Sequence, residues 1–539
     1  MKTTKRIFSI VIALVLAFTM TFSGFATVGV EKDADTYVSI SGVEKIFWNI
    51  IEDVAETLVK AIAHFVPTPA EWNDDTSFAE GFMKGTEEFA TQSGDTWSLG
   101  YDSRSIMLSE EETIDKLYVG GTIAFGNKTA TEIVDDLKVR TVALNDSTGR
   151  GTAVFAVVDA YGLALSDVRE IRVRLQQFAE ENGINSITVS VLHQHSAVDT
   201  FGMNGNIVEM VLFNPAMTFF GMETENGKND KYMENLYNKC TDSIKAAVED
   251  MTEGKLYLGT ADASKYTYDK RQPYVNDPNF NRLRFVPADG SKETWIVTSP
   301  IHCVGNGAAG TAITGDYPYY AEQAVADKAN LVFVLGAEQS NTQERNEDNV
   351  PGYKEGMDRL EEMALYGKAI GNDIAAITDE TEVSPLLNIK YTETYLTVAN
   401  PILLLAGKAG LFENIIRNVD GEYKVLTELG YLEIGDDLAF AVVPGELAPE
   451  LAYGGCLSGE YSWSGKDWEY PSMQEIVTNA GIDRELYVLG LANDQVGYIV
   501  PDNDYIPMIH EASGSIEFVS LGENTASNLV KAFEQVVAG

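Results

Sequence analysis

From residue 117 onward, short apolar, β-branched runs alternate with amphipathic stretches of helical period. That alternation restricts the chain to folds in which sheets are buried under helices. The runs at 139–144 and 152–159 are joined by Asn145, Asp146, Ser147 and Gly149, a set of turn formers that predicts a hairpin. Ser166 is placed to cap a helix whose Val168, Ile171, Leu175 and Phe178 share one face; Gly183 closes it, and 187–192 returns as a strand. A second helix carries Met233, Leu236, Cys240, Ile244, Val248 and Met251 in register, with strands expected at 255–260 and 294–298. Further apolar runs lie at 331–335, 438–443 and 486–489. The expected fold class is therefore α/β, a mixed β-sheet core flanked by helices.

The N-terminus has the layout of a secretory signal, with Lys2, Lys5 and Arg6 followed by an apolar run at 7–22 and small residues at Gly24 and Ala26. Cleavage after Ala26 and an extracellular, secreted mature chain are expected; an uncleaved segment tethering the chain to the membrane is the alternative. A formal net charge of −42 repels nucleic acid and anionic headgroups, so no nucleic-acid partner is expected. Cys240, Cys303 and Cys456 are far apart and odd in number, which argues against a disulfide framework and for buried free thiols. Between the signal and the core, Ile46, Ile50, Val54, Leu58, Ile62 and Phe65 recur at a spacing near four and end before Pro67. This predicts an amphipathic helix. Its acidic polar residues favour a helix that caps the domain over one lying on a membrane, where Lys and Arg are usual.

Only five histidines occur, and three sit where an apolar run stops. His193 and His195 follow the run at 187–192, and His302 follows the run at 294–298. Ligands of open α/β sheets gather outside the carboxyl ends of strands. Glu446, after a Pro-Gly turn, and Tyr498, after a glycine-containing loop, share that placement. Two histidines and a carboxylate suffice as the protein ligands of a catalytic zinc that keeps one position for water. Taken alone, His-x-His after a strand does not require a metal, because alternate side chains of any extended segment point the same way.

The tract Ser190-Val191-Leu192-His193-Gln194-His195-Ser196 resembles the His-x-His-Ser signature of the neutral and alkaline, non-lysosomal ceramidase family. In that family's order follow His302, Gly315-Asp316 before a helix, Gln339-Ser340-Asn341, Pro444-Gly445-Glu446, and Gly490-Leu491-Ala492-Asn493 leading to Gly497-Tyr498-Ile499. Arg140 also fits the family's early strand. The resemblance implies a zinc ion held by His193, His302, Glu446 and Tyr498, with His195 beside the metal-bound water to orient it or carry a proton. It further implies that Arg271 steadies an oxyanion. Without the resemblance, His195 would read as a backbone-bonded histidine, Glu446 as a solvated turn carboxylate and Tyr498 as a core tyrosine.

The chain departs from that family at three places. The family serine near the metal falls on Asn346, whose amide can donate to an oxyanion but cannot be a nucleophile. The glycine-rich stretch after His-x-His-Ser is replaced by Ala197-Val198-Asp199-Thr200, and the fold is expected without the family's C-terminal immunoglobulin-like domain. The expected organisation is a signal peptide at 1–26, an N-terminal helical extension at 27–92, a zinc hydrolase domain resembling the ceramidases at 93–520 and a helical tail at 521–539. The expected activity is metal-assisted hydrolysis of a linear amide, with N-acyl lipids such as N-acylsphingosine among the candidate substrates and peripheral membrane contact compatible with them. A zinc esterase, or a non-catalytic surface protein on the same fold, are the rival readings.

Overall fold

The computed structural model describes residues 42–538 apart from 74–79, 87, 122–128, 205–225, 308–309, 412, 509 and 514–515. The expected signal segment lies outside the described residues. Helix α1, Gly42–Phe65, precedes the first strand, β1, Trp97–Ser105. The hairpin follows as β2, Lys138–Asn145, and β3, Thr152–Val158. Helix α2, Leu165–Arg174, leads to β4, Ile184–Val191. Helix α3, Asp230–Glu249, precedes β5, Thr252–Asp262, β6, Asn279–Pro287, and β7, Glu293–Ser299. Helix α4, Asp316–Val325, β8, Ala329–Leu335, α5, Arg359–Ala375, and β9, Glu380–Val383, complete the first half. The second half holds β10, Leu387–Thr397, α6, Pro401–Lys408, β11, Ile416–Val419, β12, Glu422–Ile434, and β13, Leu438–Val442. It ends with α7, Met473–Asn479, β14, Glu485–Leu489, and α8, Thr525–Ala538.

The expected α/β class is observed, and its β core is divided between two facing sheets. The larger, nine-stranded sheet runs β8-β7-β6-β5-β1-β2-β3-β4, with β9 paired to β5. The smaller, five-stranded sheet runs β10-β12-β13-β14, with β11 paired to β12. Leu144, Phe155 and Leu283 of the first face Leu432, Phe440 and Tyr487 of the second. Helix α3 covers the larger sheet at β1 and β2, α4 packs on β8 and α5, and α8 covers the smaller sheet at β10 and β12. Leu529, Phe533 and Val536 of α8 are buried, which ties the C-terminal helix into the core. Both sheets are mixed: β3–β4, β7–β8 and β13–β14 pair in parallel, and the other pairings are antiparallel.

Two local expectations are corrected. Helix α2 begins one residue before Ser166, because Asp167 Oδ2 accepts from the Ala164 N–H at 2.9 Å and caps the turn in place of the serine. Helix α1 does cap the body, but with the opposite face. Lys45 donates to the Ser462 carbonyl at 2.8 Å, Trp463 Nε1 donates to Asn49 Oδ1 at 2.9 Å, and the Met508 N–H donates to Glu52 Oε1 at 3.0 Å. Lys45, Asn49 and Glu52 on the inner side are thus bonded to the body, and Ile46, Ile50, Val54 and Leu58 are exposed on the other side. The three cysteines are free; Cys240 and Cys303 are buried, and Cys456 is partly so.

A buried ion triad ties the smaller sheet to helix α2 and, through it, to β4. Glu428, on β12, is fully buried and accepts from Arg172 Nη1 at 2.8 Å and from Arg169 Nη2 at 2.9 Å, both on α2. Arg172 Nε in turn donates to the Ile187 carbonyl of β4 at 2.8 Å. Removing one member of such a group leaves buried charge without its counterion, at a cost of about 3–5 kcal/mol. Glu428→Gln is accordingly expected to lower stability by that amount in urea denaturation; a change below about 1 kcal/mol would show that the triad does not hold the smaller sheet to α2.

Candidate functional site

The three parallel strand pairs end at one place, and each of their six strands delivers a side chain to it. Tyr161 follows β3, His193 follows β4, His302 follows β7, Glu338 follows β8, Glu446 follows β13 and Tyr498 follows β14. The two sheets touch there through glycines: a Cβ on Gly490 would lie 2.6 Å from the Gly336 carbonyl oxygen, so only glycine allows the approach. Past β14 the chain returns against β4, with the Val191 N–H donating to the Leu491 carbonyl and the Asn493 N–H to the Val189 carbonyl at 2.7 Å. This pairing carries the loop to Tyr498, where Tyr498–Ile499 runs parallel to Glu446–Leu447 with Tyr498 opposite Glu446.

His193 and His195 do not converge by strand alternation. His193 has φ +51, a left-handed conformation that is costly for a residue with a Cβ and is held only by its surroundings. Gln194 between them turns the other way: its Nε2 donates to Asp159 Oδ1 at 2.9 Å and to the Gly315 carbonyl at 3.1 Å. Asp159 is held by Arg140 at 2.8 Å, and Arg140 also pairs with Glu322 at 2.6 Å. Arg140 therefore supports the histidine turn from behind. On the other side Gly121 leaves room for the ring, since a Cβ there would lie 2.5 Å from His195 Cβ.

The rings of His193, His195 and His302 lie with centroids 4.8–5.1 Å apart. The outward nitrogens of His193 and His302 are bonded to protein. His193 Nδ1 lies 2.7 Å from the Tyr161 carbonyl, and His302 Nδ1 lies 2.6 Å from Glu338 Oε2. A carbonyl and a carboxylate accept only, so in the neutral rings Nδ1 carries the proton and Nε2 presents a lone pair. Glu446 Oε2 sits between these lone pairs, 3.4 Å from His193 Nε2 and 3.5 Å from His302 Nε2. Gln495 Nε2 donates to Glu446 Oε1 at 3.3 Å, and the Tyr498 hydroxyl also bonds the Glu446 carboxylate. His195 Nε2 lies 3.2 Å from His302 Nε2.

Burial sets the charge of this group. It holds His193 well below its ordinary value, with His302 adding to the effect. It pushes Glu446 up to about 8, reinforced by the neighbouring Glu338 carboxylate. It also opposes protonation of His302, but Glu338 and Glu446 outweigh it and raise that ring to about 9. Tyr498 is pushed well above its ordinary value by burial and by Glu446.

The arrangement fits a metal ion. His193 Nε2 and Glu446 Oε2 are buried with no hydrogen-bond partner among the described residues, a condition that is costly unless something else satisfies them. Donor atoms of His193, His195 and His302, and of His302, Glu338 and Glu446, lie within 4.8 Å of one another. Separations of 3.4 and 3.5 Å match the edge of a tetrahedron whose centre is about 2.0–2.1 Å from nitrogen and oxygen ligands. A divalent cation would also relieve the burial that raises Glu446.

His193, His195, His302, Glu446 and Tyr498 are thus brought together from four separate segments. Arg271 and Asn346 are engaged elsewhere. Arg271 Nη2 pairs with Glu517 at 2.7 Å and with Asp504 at 3.3 Å, which gives it a task in joining the 271–274 strap to the C-terminal segment. Asn346 closes a turn: its Oδ1 accepts from the Asp348 N–H at 2.9 Å and its Nδ2 donates to Glu344 Oε1 at 3.2 Å. Sequence reasoning missed Tyr161, Glu338 and Gln495. Glu338 had a usable signal, because it follows an apolar run directly and adjoins Gln339-Ser340-Asn341. Those three residues stitch the site: the His302 N–H donates to the Asn341 carbonyl at 3.2 Å, and Gln339 Nε2 donates to the Ile499 carbonyl at 3.3 Å.

No protein-family model matches the chain, and no curated protein matches its sequence. Among solved structures, neutral ceramidase from Pseudomonas aeruginosa is similar at TM-score 0.60 and 15% identity, over 82% of this chain and 74% of that one. A ceramidase complexed with C2 is similar at the same TM-score and identity, over 82% of this chain and 75% of that one. The chain has the fold of these proteins, as the order of its motifs implied.

Because Glu338 fixes the tautomer and orientation of His302, its loss is expected to weaken binding of a divalent cation by about 10–100-fold. Competition between Glu338→Gln and a chromogenic chelator measures this directly. An affinity equal to that of the unsubstituted chain would contradict the orienting role.

Proposed function

We propose that this chain is a secreted zinc-dependent hydrolase of linear acyl amides, with N-acyl lipids as the leading substrate class. The observation that carries the reading is the pair of inward ring nitrogens, His193 Nε2 and His302 Nε2, facing the same unpartnered carboxylate oxygen of Glu446. These three residues would hold the metal, with Tyr498 as a fourth oxygen donor. When bound, zinc supplies a water of lowered pKa and polarises a carbonyl.

The remaining residues determine how the site works. Tyr161 and Glu338 keep both Nδ1 atoms occupied, so the imidazoles present one nitrogen each and cannot rotate away. Tyr161 also stacks on His193, with centroids 4.5 Å apart, and meets His195 edge-on, which closes one wall against water. His195, with Nε2 3.2 Å from His302 Nε2, is the group placed to take a proton from the attacking water and return it to the leaving nitrogen. Gln495 and Tyr498 hold the Glu446 carboxylate in one orientation.

A second reading, that the scissile bond is an ester, is motivated by Asn346. The amide at the family's serine position is committed to its own turn, so the nucleophile or hydrogen-bond partner that the resemblance assigns there is missing. A panel of matched N-acyl amides and esters separates the two, and the present reading expects preference for the amides. The purified chain is expected to contain one zinc, and His302→Ala is expected to lose both stoichiometric metal and at least about 10³-fold of its activity. Full activity in that variant would overturn the proposal.

A further inference from the structure

We propose that the outward face of α1 is a docking surface for a zwitterionic lipid bilayer. Ile46, Phe47, Ile50, Ile51, Val54 and Leu58 are 61%, 56%, 56%, 37%, 56% and 45% exposed. They form a single stripe, because residues four apart share a helix face. Eleven large hydrophobic side chains are exposed among the described residues, and six of them are here, so this is not the scatter that every protein surface carries. The stripe lies opposite the face that docks on the body, where Lys45, Glu52 and Ala63 are wholly or partly covered. A helix held by its polar side and showing its apolar side outward has its hydrophobic face prepared for something other than its own domain.

Area and charge select the occupant. The stripe exposes roughly 500–600 Å² of apolar surface, and a second copy seated on it would bring another −42 of like charge against the same acidic flanks. A zwitterionic bilayer brings no such charge, and an interfacial helix needs only to sink its apolar face about 5–10 Å into the headgroup boundary. No described helix is long and apolar enough to cross a membrane, so α1 would lie on the surface rather than span it. Its exposed flanks carry Glu44 and Asp53, and the whole chain carries −42, which exclude an anionic surface and leave a neutral, zwitterionic one. The apolar run at 7–22 ends about 20 residues before α1, a stretch that reaches at most roughly 70 Å, so any bilayer holding that run is within reach of the stripe.

The docked side connects to the candidate site. Trp463, whose indole holds Asn49, accepts nothing from the site itself, but its N–H donates to Asp504 Oδ1 at 2.8 Å, in the turn that follows Tyr498–Ile499. Trp48 lies edge-on to His510, further along the same segment. Helix α1 would therefore stand between a bilayer and the chain segment that leaves the site. The inference does not rest on the metal or on the substrate proposed above.

The test uses the full chain carrying one environment-sensitive fluorophore at Ile50→Cys, at Val54→Cys or, as a control on the polar flank, at Lys60→Cys. Each is mixed with phosphatidylcholine vesicles. A blue shift at positions 50 and 54 without one at position 60 is expected. A label at Phe47→Cys is expected to shift likewise and to lose its shift when Ile50→Asp and Val54→Asp are combined. No shift at 50 and 54, or an equal shift at all three positions, would overturn the proposal. So would a shift that needs no vesicles and grows with protein concentration, which would identify a second copy as the occupant.

Discussion

The structure is organised around a group of three imidazoles and two carboxylates held at contact distance, all buried except the partly covered His195. Taking such groups out of water is costly unless each polar atom is satisfied. Here the outward atoms are satisfied by protein: Nδ1 of His193 by the Tyr161 carbonyl, Nδ1 of His302 by Glu338, and Oε1 of Glu446 by Gln495. The inward atoms, His193 Nε2 and Glu446 Oε2, are not. A cation at their centre is the simplest way to satisfy both at once and to relieve the burial that raises Glu446 to about 8.

Holding that group is the work of the two sheets. Six strands in three parallel pairs end together, so residues separated by more than three hundred positions in sequence meet without long loops. The supports lie one layer further out. Arg140 and Asp159 hold Gln194, which in turn sets the histidine turn, while Arg169 and Arg172 on Glu428 tie the smaller sheet to the helix beside β4. In each parallel pair one strand, β3, β7 or β13, is paired on both edges and holds its partner, β4, β8 or β14, at the margin of the sheet.

Much of this was legible in the residues. The apolar runs marked the strands, and their ends marked His193, His302 and Glu446, because a strand that stops at a histidine or a carboxylate exposes it at the sheet margin. Division into two sheets was not legible: periodicity reports how a segment faces a core, and two cores look the same as one. His193 and His195 were read as neighbours on an extended segment, whereas a left-handed residue at His193 brings them together. Glu338 was hidden beside a more familiar tract, and Arg271 and Asn346 show that a matching position fixes neither direction nor partner. In α1 the period was right and the orientation was not, because an amphipathic pattern does not say which side the protein will keep.

The central claim is that His193, His302 and Glu446 share one zinc ion. X-ray absorption at the zinc edge of the purified chain tests it most directly. The account expects one tightly bound zinc with only nitrogen and oxygen neighbours at about 2.0–2.1 Å, together with the outer-shell scattering of two imidazoles. Zinc bound without imidazole scattering, or a first shell containing sulfur, would contradict it.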